Sequence, residues 1–166
     1  MKRTKTFAKW IGLGLLLNLL IIQFIQPART APAIAPGHDL RTSPQAPGPQ
    51  AAAVLRAACY DCHSSETKWP WYGYVAPVSW WLADHIKDAR ERLNFSDWPA
   101  NNPRLLKKKL HQIRDEVDDG SMPLPSYTWM HPAARLTAAE KNHITDWADQ
   151  EADKINLPAP AVEADK

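Results

Sequence analysis

The chain has 166 residues, 15 of them proline and only 6 glycine, with a formal net charge of +2. That length suits one domain plus extensions. The basic excess is too small and too scattered for a nucleic-acid-binding face, and two cysteines are too few for a disulfide scaffold.

The basic residues Lys2, Arg3, Lys5 and Lys9 precede an apolar run over residues 10–25, and the first acidic residue is Asp39. The run is broken only by Asn18 and Gln23. It falls between a signal-peptide core and the ~20 residues that span a bilayer. It ends in Gln23-Phe24-Ile25-Gln26-Pro27, without the small residues of a cleavage site. Residues 1–26 are therefore expected to be an N-terminal membrane anchor or signal segment, with an uncleaved, single-pass transmembrane helix favoured over a cleaved signal. The basic flank would stay in the cytoplasm and the remainder would lie outside it.

Residues 27–50 carry Pro27, Pro32, Pro36, Pro44, Pro47 and Pro49 and are expected to be an extended linker. At about 3.1 Å per residue this segment would reach roughly 70 Å.

From residue 51 to 156 no strand alternation stands out, and about four helices are expected. The first covers residues 51–62. The second covers residues 77–93, with Val78, Trp81, Leu82, His85, Ala89 and Leu93 at helical spacing. The third starts from an Asn102 cap with Pro103 in its first turn and stops at Gly120. It carries Leu106, Leu110, Ile113 and Val117 on one face, and Lys107-Lys108-Lys109 reads as a solvated face. The fourth opens with a Thr137/Glu140 capping box and places Ile144, Trp147 and Ala148 together. Residues 157–166 are expected to be a disordered tail. Such a domain has a marginal core of its own. A buried macrocycle would enlarge it and would account for the many aromatic residues.

Both cysteines lie in Cys59-Tyr60-Asp61-Cys62-His63. On one helical turn the two sulfurs can reach two vinyl groups of one haem, and the following imidazole can reach its iron. This spacing reads as c-type haem attachment: thioethers at Cys59 and Cys62, with His63 as the proximal axial ligand. A thioredoxin-like dithiol would need a βαβ setting. A zinc site would need a fourth ligand, with His85 or His111 as candidates. Met122 is the favoured distal ligand. It sits in Gly120-Ser121-Met122-Pro123-Leu124-Pro125, just past a helix end and stiffened by prolines, and a thioether raises the reduction potential relative to a second imidazole. His85 is its main rival. Met130 is expected to fill a core gap, and His131 and His143 to be surface or capping residues.

Several idiosyncratic strings carry a family resemblance across about residues 22–149. They include Gln23-Phe24-Ile25, the Cys59–His63 motif with Ser64, Glu66-Thr67-Lys68-Trp69-Pro70-Trp71-Tyr72, Ala76-Pro77-Val78-Ser79-Trp80-Trp81, Leu93-Asn94-Phe95-Ser96, Gly120-Ser121-Met122-Pro123 and His131-Pro132. The chain resembles the bacterial haem-binding domain family with a single Cys-x-x-Cys-His, related to small cytochromes c. Ser121 stands where an acidic residue is expected. The resemblance implies an all-α, cytochrome-c-like fold around one covalent haem c, with the Met-Pro loop in the distal position. It also implies anchoring in the bacterial inner membrane with the haem domain in the periplasm. Trp69-Pro70-Trp71 is expected to pack at the haem edge. The expected role is one-electron transfer between redox proteins of unknown identity, without enzymatic turnover. The alternative is a haem-based sensor with a displaceable sixth ligand. A peroxidase-like enzyme ranks last.

Overall fold

The computed structural model describes residues 2–34 and 36–157. Among them are seven α-helices and no strand: α1 (Lys2–Ile22), α2 (Pro49–Ala58), α3 (Tyr60–His63), α4 (Val78–Arg92), α5 (Pro103–Asp118), α6 (Pro125–Met130) and α7 (Ala138–Asp153). The all-α expectation holds. The expected tail lies almost wholly outside the described residues.

Helix α5 forms where its punctuation places it. The Asn102 side chain accepts a hydrogen bond from the Leu105 N–H at 3.1 Å, and Pro103 fills the first turn. Gly120 ends the element at φ 75°, a left-handed conformation that glycine adopts without a Cβ penalty. Leu106, Leu110, Ile113 and Val117 are all buried. Replacing Asn102 by alanine should cost about 1 kcal/mol, the usual worth of such a cap, measured by denaturant titration. Helix α7 opens with the expected capping box: the Glu140 carboxylate accepts from the Thr137 N–H at 2.8 Å. Its Ile144, Trp147 and Ala148 face α5 and α2 in the core.

The first expected helix is two. Cys59 leaves helical geometry (φ −124°, ψ −37°), so α2 ends at Ala58 and α3 is a separate turn carrying Tyr60 to His63. The turn is held by the Ser64 hydroxyl, which donates to the Tyr60 carbonyl at 2.7 Å.

The core supplies more aromatic packing of its own than expected. Trp98 and Phe95 are fully buried, Phe95 stacks on Tyr60 at 5.1 Å, and Trp98 lies 6.5 Å from Trp147. Trp71, Tyr74, Trp80, Trp81 and Trp129 are instead exposed, and so is Met130, which fills no core gap.

The linker expectation is corrected over its second half. Leu40 is 0% exposed and belongs to the core. Its N–H donates to the Phe95 carbonyl at 2.8 Å, and the Trp98 N–H donates to the His38 carbonyl at 2.6 Å. Asp39 caps the turn at Leu40–Thr42, and its carboxylate holds the Arg41 guanidinium at 2.7 Å. The Trp147 indole N–H donates to the Gln45 carbonyl at 3.0 Å. Proline stiffens this segment without preventing its free amides and its one leucine from finding partners on the domain.

Helix α1 forms, and its apolar side chains are exposed. Among the described residues no helix is long and apolar enough to cross a membrane. The expected transmembrane helix is thus a short apolar helix with a short continuation over residues 23–25.

Candidate functional site

The turn α3 delivers His63 into the interior beside the end of α4. Its Nδ1 lies 3.1 Å from the Ala89 carbonyl and 3.1 Å from the Leu93 carbonyl. Both partners can only accept, so Nδ1 carries the proton and the Nε2 lone pair is left for a metal. Burial lowers the pKa of the ring, and it outweighs the two hydrogen bonds that favour the charged form. The imidazole is therefore neutral, the state a ligand requires. Phe95 holds the ring from one side with centroids 6.2 Å apart, and its N–H donates to the His63 carbonyl at 2.8 Å.

His63 opens onto a cavity of about 320 Å³ between α2, the segment at residues 93–95 and α5. Cys59 and Met122 line the same cavity, with an apolar wall from Leu55, Leu93, Ile113 and Val117. Met122 arrives there because the chain turns back at Gly120: the Met122 N–H donates to the Glu116 carbonyl at 2.9 Å. The cavity's polar lining is Arg92, Lys109, Gln112 and Glu116. Lys109 is thus no solvated-face residue. Its ammonium donates to the Arg92 carbonyl, and burial lowers its pKa.

Cys62 does not line the cavity. It lies near Asp61 and Arg90, with Tyr72 and Tyr127 within electrostatic range. Burial pushes the Cys59 thiol up to about 12, and burial followed by the Asp61 charge pushes Cys62 up to about 11. A redox-active Cys-x-x-Cys holds a thiolate at lowered pKa. These shifts run the other way and, with no strand among the described residues, disfavour a thioredoxin-like dithiol.

The rival ligands lie elsewhere. The His85 ring lies tilted at 41° against Trp81 with centroids 4.1 Å apart, and its Nδ1 is 2.9 Å from the Trp81 carbonyl. His131 stacks on Tyr127 at 4.0 Å, and His143 is exposed. His111 is on α5 but does not line the cavity. Among the described residues no group of three His, Cys, Asp or Glu side chains gathers to hold a bare metal ion.

Trp69-Pro70-Trp71 is also elsewhere. Trp69 borders a larger open groove of about 630 Å³ between residues 27–32 and α4, and Trp71 is 72% exposed. That groove has no Cys, His or Met in its lining. Among the aromatic residues, Phe95 lines the His63 cavity.

Sequence reasoning missed a brace around the motif. The Tyr127 hydroxyl donates to the Asp61 carboxylate at 2.8 Å, and the Lys68 N–H donates to the other oxygen at 3.1 Å. Arg90 donates to the Ser64 carbonyl at 2.8 Å and to the Thr67 hydroxyl at 2.7 Å. These bonds clamp α3 against α4 and α6. No spacing rule connects Asp61 with Tyr127.

A family model described as a haem-binding domain matches residues 17–150. The chain belongs to this haem-binding domain family. Comparison with curated proteins and with solved structures found no match. The match covers the cavity and both walls of it, so haem is the group to test against the lining. The residues fit: a neutral imidazole with its metal-facing nitrogen free, a thioether on the same cavity, an apolar wall, and two basic side chains suited to carboxylates.

Proposed function

We propose that this haem-binding domain is a monohaem c-type cytochrome that passes single electrons and is tethered to the bacterial inner membrane with its domain in the periplasm. The observation that carries the reading is the convergence of Cys59, His63 and Met122 on one cavity. Cys59 and Cys62 would hold haem c through thioethers, and His63 and Met122 would hold its iron. When bound, haem supplies an iron that alternates between two oxidation states.

The chain's own residues set the conditions for that exchange. The Ala89 and Leu93 carbonyls fix the His63 ring and raise its basicity. Leu55, Leu93, Ile113 and Val117 exclude water. Arg92 and Lys109 offer charge to the carboxylates of the macrocycle. If His63 and Met122 both held the iron, no position on it would be left for a substrate, which would favour a carrier over an enzyme. The redox partners would be other proteins. Tethering through α1 is supported by the exposure of its apolar side chains and by the basic residues that precede them.

The test is made on the full chain produced with a c-type maturation system. Acid–acetone extraction should leave the haem on the protein, and the oxidised spectrum should be low-spin with the weak methionine-to-iron charge-transfer band. Met122→Ala should abolish that band and open the iron to carbon monoxide. Haem lost on extraction refutes covalent attachment. A high-spin wild-type protein that binds carbon monoxide readily refutes the carrier reading in favour of a sensor.

A further inference from the structure

The end of α1 is not a loose exit into a tether. The Gln23 side chain pairs with the Ala76 backbone in both directions: its carbonyl accepts from the Ala76 N–H at 2.9 Å, and its amide donates to the Ala76 carbonyl at 3.1 Å. The Trp80 indole N–H donates to the Ile25 carbonyl at 2.6 Å. Arg29 donates to the Gly73 carbonyl at 3.0 Å and lies over the Tyr74 ring at 4.2 Å. Gly73 is tightly enclosed there, because a Cβ on it would meet Leu82 at 3.1 Å and Trp69 at 3.2 Å. The helix end is therefore bolted to the segment between the Trp71–Tyr74 turn and the start of α4.

That segment has an unusual surface. Residues 71–81 (WYGYVAPVSWW) contain no charged side chain. Trp71, Tyr74, Val75, Val78 and Trp81 are all exposed, next to the exposed Phe24 and Ile25 at the helix end. Contiguous exposed apolar surface marks an interaction site, and Trp and Tyr are the residues enriched at the headgroup level of a bilayer. The apolar run of residues 10–25 rises about 24 Å if helical, short of the ~30 Å hydrocarbon core. An apolar collar at its end is what such a short helix would need to reach the far interface.

We propose that residues 71–81 form an aromatic collar seated in the headgroup layer of a phospholipid bilayer, holding the haem domain in one orientation on the membrane. The idea rests on the anchoring proposed for α1. Its occupant is lipid, because the collar continues the surface of a helix that is itself apolar all round, and because it offers no charge for an ionic partner.

A dansyl amino acid incorporated at position 16, 78 or 108 of the full chain would test this in phosphatidylcholine/phosphatidylglycerol vesicles. Position 16 reports α1, position 78 the collar, and position 108 the exposed face of α5. At position 78, quenching by shallow spin-labelled lipid should be several-fold stronger than at position 108, and quenching by aqueous iodide correspondingly weaker. If position 78 behaves like 108 while 16 stays in lipid, the anchor stands and the collar is wrong. If position 16 is itself quenched by iodide, the anchor fails and takes the collar with it. Protection of position 78 from both quenchers would mean that protein, such as a second copy, covers the face, and would also overturn the proposal.

Discussion

Replacing His63 by alanine is expected to abolish the low-spin spectrum of the haem-loaded protein and to lower its yield of stably ligated haem by at least about 100-fold. That figure is the upper end of what losing a hydrogen-bond partner behind a ligand costs, and the ligand itself matters more. His63 is the histidine that both lines the cavity and has its Nδ1 committed to carbonyls, those of Ala89 and Leu93. The variant strands the Leu93 carbonyl at the end of α4, while the Ala89 carbonyl keeps the Leu93 N–H at 2.9 Å, so the domain should also lose about 1–3 kcal/mol before any haem is bound. Two controls separate ligation from folding. His85→Ala removes a ring packed against Trp81, and His111→Ala removes one outside the cavity; both should keep the low-spin spectrum. Supplying imidazole to the His63→Ala protein should restore it in part, which a purely structural defect would not allow. A His63→Ala protein with the wild-type spectrum would remove His63 from the iron.

Much of the site was legible because its parts are local. Cys59 and His63 stand four residues apart and Met122 is announced by a glycine stop and two prolines, and these three line one cavity, whereas Cys62, in the same motif, does not. The packed face of α5 could be read from Leu106, Leu110, Ile113 and Val117 because a single helix imposes its own period. What escaped depends on distant partners. Lys109 sits in a run of lysines that reads as solvated, and only the position of Arg92 turns it toward the cavity. Helix α6 has six residues, too few for a period to register, and starts from Pro125. The break at Cys59 lies inside an Ala-rich stretch with no local stop signal; the turn that follows is held by Ser64 and by the Phe95 N–H. The aromatic residues misled for a related reason. Their number was read as a demand for haem contacts, whereas Trp98 and Trp147 serve the core and Trp71 and Trp81 face outward.

Leu40→Ala should cost about 2–5 kcal/mol of unfolding free energy, the range for emptying a buried leucine site. In a free linker the same change would cost nothing. Leu40 is 0% exposed, packed into the core cluster with Leu55, Phe95 and Trp98. Its surroundings are tied on three sides: Trp98 to His38, Phe95 to Leu40, and Trp147 to Gln45. Collapse into the vacated space would break those bonds, so the loss belongs toward the upper part of the range. Ile34→Ala is the matched control. It lies in the same proline-rich stretch but is 39% exposed, and it should shift stability by no more than about 0.5 kcal/mol. Urea titration of both variants decides the matter, and equal midpoints would return residues 27–50 to the status of a passive spacer. The consequence reaches the site, because Phe95 accepts from Leu40 through its carbonyl and donates through its N–H to His63. Loosening Leu40 should therefore speed hydrogen exchange at the Phe95 amide more than at Leu110, whose burial depends on α5 and α7 instead.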